Sequence, residues 1–164
     1  MKAPIIAPHT FGRAFVLISV LLIAASSTLA APWGGIEPFK SRRADVIKIL
    51  GEPVGESPEG VLRFKVMGGS VQVSFVNEKF AASKKLRSEM VGTVLQIVLE
   101  HDQAPDTPES LKLQENKSFT KDETETRTIY RNLKDGLVYT FMQGHLRTTR
   151  YTFADNQLDR ARKY

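Results

Sequence analysis

Short runs of alternating apolar and polar residues dominate the chain after residue 60, the period of two that marks strands with one buried side. Residues 61–66 and 71–76 form the first pair. In the second, Val71, Val73 and Phe75 share one side, and Gln72 and Ser74 the other. Gly68-Gly69 between them predicts a hairpin turn. Residues 91–100 carry apolar side chains at nearly every position, which predicts a strand buried on both sides and central in its sheet. Residues 128–133, 137–142 and 146–153 then alternate again, with Lys134-Asp135-Gly136 and Gln143-Gly144 as turns. They predict an antiparallel meander.

One stretch changes period. Over 41–50, Val46, Ile49 and Leu50 recur at helical spacing. Ser41 is placed to cap the first turn, Gly51 to close the last in a left-handed conformation, and Pro53 to prevent its continuation. The expected burial is Val46, Ile49 and Leu50 inward, with Arg42, Arg43 and Lys48 in water. Residues 52–60 read as a polar turn, 77–88 as mostly loop and 114–126 as a long exposed loop. Thr107-Pro108 begins a short helical turn anchored by Leu111 and Leu113. Residues 154–164 form a tail that is either a short amphipathic helix with Leu158 inward or disordered.

These elements predict an α+β fold: a short capped helix, or helices, packed on a mainly antiparallel sheet of about six strands. The order helix, strand, strand, strand occurs twice. Phe64, Met67, Gly69, Val71 and Val76 align with Tyr139, Met142, Gly144, Leu146 and Tyr151 at an offset of about 75 positions. Two readings stand: a duplicated αβββ unit with halves 36–102 and 103–153, or the likeness of any two hairpins.

The first thirty residues have a different composition. Lys2 and Arg13 are unopposed by any acidic residue. An apolar run follows over 14–25, and then small residues lead to Ala30. That is the pattern of a secretory signal, cleaved after Ala30. The other reading is a retained anchor, for which the run is shorter than the ~20 residues a spanning helix needs. The expected organisation is a signal peptide, 1–30, and one α+β domain, 31–164, exported to the periplasm or beyond, with no stable membrane span after cleavage. The chain contains no cysteine, which excludes a lipid-bearing cysteine at the junction, disulfides and thiolate chemistry. Its formal net charge is +5, and loss of Lys2 and Arg13 lowers it by two. So mild a charge demands no nucleic-acid partner, and none is expected.

Two resemblances add to this reading. Residues 33–46, beginning Trp-Gly-Gly-Ile-Glu-Pro-Phe, together with Leu50-Gly-Glu-Pro, resemble the start of small exported proteins of acidobacterial type. The resemblance continues through Gly92-Thr-Val-Leu-Gln-Ile, through Leu111-Lys-Leu with Lys117 and Phe119, and through Asp135-Gly-Leu. It covers most of the chain after residue 30. That family carries no assigned activity, and its members often contain cysteines that this chain lacks. More distantly, the capped helix ending in Leu50-Gly51-Glu52-Pro53 is similar to small periplasmic modules of the outer-membrane assembly factor and β-lactamase-inhibitor type. That similarity implies a helix-on-sheet sandwich and a protein-binding role, and transfers no catalytic residue.

The residues themselves supply little chemistry. No Gly-x-Ser-x-Gly, His-Glu-x-x-His or phosphate-binding glycine loop occurs. His101 and His145 are the histidines after the leader. Glu100-His101-Asp102 lies on an extended run whose neighbours point to alternate sides, so it does not converge on one metal ion without a bend. The expectation is a non-enzymatic exported domain, without cofactor or metal, that binds a protein or an anionic cell-envelope component. The alternative is a hydrolase or metal-dependent enzyme using His101 or His145. The candidate interaction residues are Trp33, Arg147, Arg150 and Tyr151: a lone tryptophan beside two glycines, and basic residues interleaved with aromatic ones on the meander. Trp33 has a second reading, as an anchor folded against the sheet.

Overall fold

In the computed structural model, residues 31–162 are described; the expected leader, 1–30, lies outside them. One antiparallel sheet of eight strands runs through the molecule. Its strands are β1 (Gly55–Glu56), β2 (Leu62–Val66), β3 (Gly69–Phe75), β4 (Val94–His101), β5 (Thr120–Glu123), β6 (Arg127–Asn132), β7 (Leu137–Met142) and β8 (His145–Thr152). The helices are α1 (Arg43–Leu50), α2 (Glu78–Lys84) and α3 (Asp155–Ala161). The strand order is β1-β2-β3-β4-β8-β7-β6-β5, so the first four strands and the last four meet at the central β4–β8 pair.

The fold class is thus the expected one, and the strand count is not: eight, against about six. The two additional strands are the edges. β1 and β5 are exposed at every residue. An edge strand with no buried side carries no alternation, and charged residues there blunt further pairing. The sequence therefore shows these residues only as polar connections. The six inner strands lie close to where alternation places them, and β4 takes the central position beside β8. Only Val94 and Ile97 are fully buried in β4; its other apolar residues are half-buried.

The register defines two sides. Leu62, Phe64, Val71, Val73 and Ile97 form one cluster with Val46 of α1 and with Ile36, and all eight of its residues, Val94 included, are at most 1% exposed. Burial of this size supplies roughly 1.5–3 kcal/mol for each large apolar side chain. A second cluster on the same side joins Tyr130, Phe141 and Leu146 to Leu113, with Leu111 and Phe119 packed around it. The 107–113 turn covers this part of the sheet as α1 covers the other. Thr107 Oγ1 accepts the Ser110 N–H at 3.2 Å, and Leu111 N–H reaches the Thr107 carbonyl at 3.1 Å. A third cluster joins α2 and α3 through Ala81, Leu86, Met90 and Ala161, with Leu158 turned inward as one reading of the tail expects.

α1 departs from expectation in detail. Its N-cap is Arg42, whose N–H is held by the Asp45 carboxylate at 2.8 Å. Ser41 instead closes the preceding turn, its hydroxyl accepting the Glu37 N–H at 3.0 Å. Val46 is buried and Leu50 half-buried, but Ile49 is 44% exposed and Ile47 takes its place against the core. Gly51 has φ +81° with an extended ψ of −163°, a combination almost confined to glycine. The expected loop over 77–88 contains α2. Asn77 caps it by accepting the Phe80 N–H at 2.8 Å, and Lys85 closes it at φ +56°. Lys79, Lys84 and Lys85 obscured a cap and an apolar pair, Phe80 and Ala81, that are present in the sequence.

The first turn is also shifted by one residue. Met67 and Gly68 form the loop, while Gly69 pairs with His101 inside the sheet. A Cβ on Gly69 would overlap the Glu100 carbonyl oxygen, so close strand approach explains that glycine. As for the internal symmetry, the offset of about 75 residues aligns β2 with β7 and β3 with β8. The mirrored strand order instead sets β3 opposite β7 and β4 opposite β8.

Candidate interaction surface

The alternate residues of the same strands make the other side of the sheet. One row of cross-strand partners begins Arg63, Gln72, Val98, Arg150 and continues through Val138 and Arg131. A neighbouring row runs Lys65, Ser70, Glu100, Thr148, Thr140, Ile129. Cross-strand partners point the same way, and these point away from the clusters of α1 and the 107–113 turn. Ile129 is buried among its neighbours; the other members of the two rows are exposed or half-exposed. None of the residues in these two rows, which form the open face, belongs to the apolar clusters in which α1, α2 and α3 take part.

Charge on the open face is unevenly satisfied. Both oxygens of Glu100 are taken, one by the Ser70 hydroxyl at 2.8 Å and one by the Gln72 amide at 2.6 Å. Asp122 accepts from the Arg131 guanidinium at 3.2 Å. Lys65 faces Asp102 at 3.5 Å. Arg63, Arg127 and Arg150 have no such partner among the described residues. Arg147 is the extra residue of a bulge, since Leu146 pairs with Phe141 and Thr148 with Thr140. Its guanidinium reaches the Asp102 carbonyl at 3.5 Å. At the β1 end, the 54–61 hairpin and the side chains of Arg63 and Gln72 enclose an open hollow of about 660 Å³. Gly55 stands opposite Arg63 in the register, so no side chain from β1 shields that arginine. Glu56 is already held by Arg43 through two contacts of 2.7 and 2.6 Å. Hydrogen bonding to Arg43 lowers the Glu56 pKa and raises that of Arg43.

The four sequence candidates do not share one face. Arg150 lies on the open face. Arg147 projects from the β8 bulge near its rim. Tyr151 and Trp33 belong to the helix-bearing side, both packed against the α1 cluster. Trp33 closes a tight turn with Ile36 through paired backbone bonds of 3.1 and 2.9 Å, which is the anchor arrangement. Burial raises the Tyr151 pKa, with a smaller contribution from Tyr139; Tyr139 is raised by burial and then by Asp106. Sequence reasoning missed Arg63 and Gln72, which sit in two strands, β2 and β3, assigned only a structural part. Their signal was present: a polar set alternating with a fully apolar one.

The two histidines also separate. His101 lies on the helix-bearing side, its Nε2 2.9 Å from the Thr149 hydroxyl. Burial lowers its pKa, partly opposed by the charge of Asp106. His145 pairs with Met142 at the far end of β8 and points to the open side. Among the described residues, no group of three His, Asp or Glu side chains is placed to hold a metal ion, and no helix is long and apolar enough to cross a membrane. No family model, no curated protein and no solved structure matches the chain.

Proposed function

We propose that this is an exported, non-enzymatic domain that binds a protein component of the cell envelope through its open sheet face. The observation that carries the reading is that face itself, one row of cross-strand partners running from Arg63 to Arg131 with its residues exposed or half-exposed and outside the helix-bearing clusters. A sheet side that served only solubility would need no more than scattered charge. Here Val98, Val138 and Met142 lie among Gln, Thr and Arg side chains, a mixture suited to a protein interface with a dry centre and polar surroundings. The span supports the reading as well. Seven strand spacings by about six residues give of order 700 Å², near the ~800 Å² that one partner contributes to a standard interface. The sequence pattern over 1–30, read as a secretory signal, supports export.

Because the chain has no cysteine, a single one can be introduced and labelled cleanly. In the mature protein, Val98→Cys carrying a bulky polyethylene-glycol maleimide is expected to lose association with the organism's envelope fraction in a sedimentation assay. Lys48→Cys with the same label, on exposed α1, is expected to keep it. Equal retention by both would refute the open face as the binding surface. Alanine at His101 and His145 is expected to leave association unchanged.

A further inference from the structure

Resting on the open-face reading, we infer that the partner is a protein presenting an acidic segment, with carboxylates that pair Arg63 in the hollow and Arg150 across the sheet. Every carboxylate in the two central rows and their edge is already engaged: Glu100 by Ser70 and Gln72, and Asp122 by Arg131. Arg63 and Arg150 lie in one row with no anionic partner among the described residues. They are three strand spacings apart, about 14 Å. An unpaired guanidinium is a fork-shaped donor matched to a carboxylate. Two of them on a rigid sheet define a spacing that an incoming segment must meet.

The hollow sets the second requirement. Its volume is about 660 Å³, and Val54 and Val61 stand in its walls beside Arg63 and Gln72. Of its two carboxylates, Glu56 is held by Arg43 and Glu59 accepts the Ser57 hydroxyl, so an incoming acidic group is received at Arg63 with an apolar body against the valines. Between the two arginines, Val98 is half-buried and offers a small apolar contact. The interspersed acids decide against a lipid surface. A bilayer surface presents its phosphates without a fixed register, and would press them against Glu100 and Asp122 as well as against the arginines. A protein segment places its carboxylates at the arginines and neutral groups elsewhere, which is how complementary interfaces fix register.

The test uses the mature protein as Val98→Cys, labelled with benzophenone maleimide and irradiated in the organism's envelope extract. Crosslinked peptides are sequenced, and the experiment is repeated with Arg63→Glu and Arg150→Glu together, at low and moderate salt. A Lys48→Cys probe on α1 is run in parallel. The expected result is one protein crosslinked from position 98, through a segment containing at least two Asp or Glu residues. Its yield should fall roughly tenfold or more in the charge-reversed variant and decline with salt. A discrete protein whose crosslinked segment lacks carboxylates, or whose yield survives charge reversal, overturns the acidic partner and leaves the open-face reading standing. Crosslinking to lipid, or loss of signal upon delipidation alone, likewise overturns the inference. A partner captured from position 48 and not from position 98 overturns the open-face reading itself, as does the absence of any discrete product from either position.

Discussion

The two faces of this sheet share eight strands and one register, yet neighbouring residues meet opposite fates. Phe64 is 1% exposed, while Arg63 and Lys65 beside it are exposed. Val71 and Val73 are fully buried, while Gln72 between them is half-buried and hydrogen-bonded to Glu100. The strand backbone is common to both sides, so the difference lies in what covers them. α1 and the 107–113 turn close one side and leave the other to water or to a partner. On this account stability resides on the helix-bearing side and recognition on the open side, and substitutions at adjacent positions should separate the two.

The largest effect is expected at Phe64. Its replacement by alanine should cost about 3–5 kcal/mol, the range for a large aromatic removed from a packed core, measured by urea unfolding. Gly69→Ala comes next. The new methyl group would overlap the Glu100 carbonyl oxygen, and the strands can part only by breaking register, at a cost of roughly 2 kcal/mol or more. If Gly69→Ala is neutral, the close approach of β3 and β4 is misplaced.

Leu50→Ala should cost about 1–2 kcal/mol, below the ~2–5 of a fully buried leucine, because Leu50 is half-buried. Lys48→Ala should stay within roughly 0.5 kcal/mol of wild type. Arg63→Ala with Arg150→Ala belongs in the same small range for unfolding while weakening association with the envelope. A large loss of stability in that double variant would break the division between the faces.

The smallest effect concerns pH. Burial holds the His101 pKa below its ordinary value of 6.5, so the unfolded chain takes up its proton first. The stability that His101 contributes is therefore complete above about pH 6.5. It declines as pH falls below that value and levels off beneath the lowered folded pKa. His101→Gln should flatten this part of the stability profile, seen as the difference between the two proteins from pH 7 to pH 5. An unchanged profile would place His101 in water.

Much of the helix-bearing side was legible in the sequence, because burial imposes a period. Leu62, Phe64, Val71, Val73, Phe141 and Leu146 could be placed on strands from alternation alone. β1 and β5 could not, since Gly55–Glu56 and Thr120–Glu123 bury nothing and so carry no period. α2 was hidden for another reason: its lysines dominate a segment whose cap, Asn77, is a single residue. Ile49 shows the limit of a three-residue stripe, which fixes the angle of a short helix only loosely. The open face was the least legible feature. Alternation shows that Arg63 and Arg150 point away from apolar neighbours, but not that both stand in one row three strands apart. That juxtaposition depends on β4 pairing with β8 across the middle of the sheet.

Hydroxyl-radical footprinting tests the division between the faces most directly. Met142 on the open face and Ile49 on α1 are 46% and 44% exposed, and Met67 at the β2–β3 turn is fully exposed. Each serves as its own reference, comparing the protein alone with the protein in an envelope extract. The expected result is protection of Met142 and of the peptides carrying Val98 and Val138, with Ile49 and Met67 oxidised as before. Protection of Ile49 with continued oxidation of Met142 and the Val98 peptide would place recognition on the helix-bearing side and contradict the account.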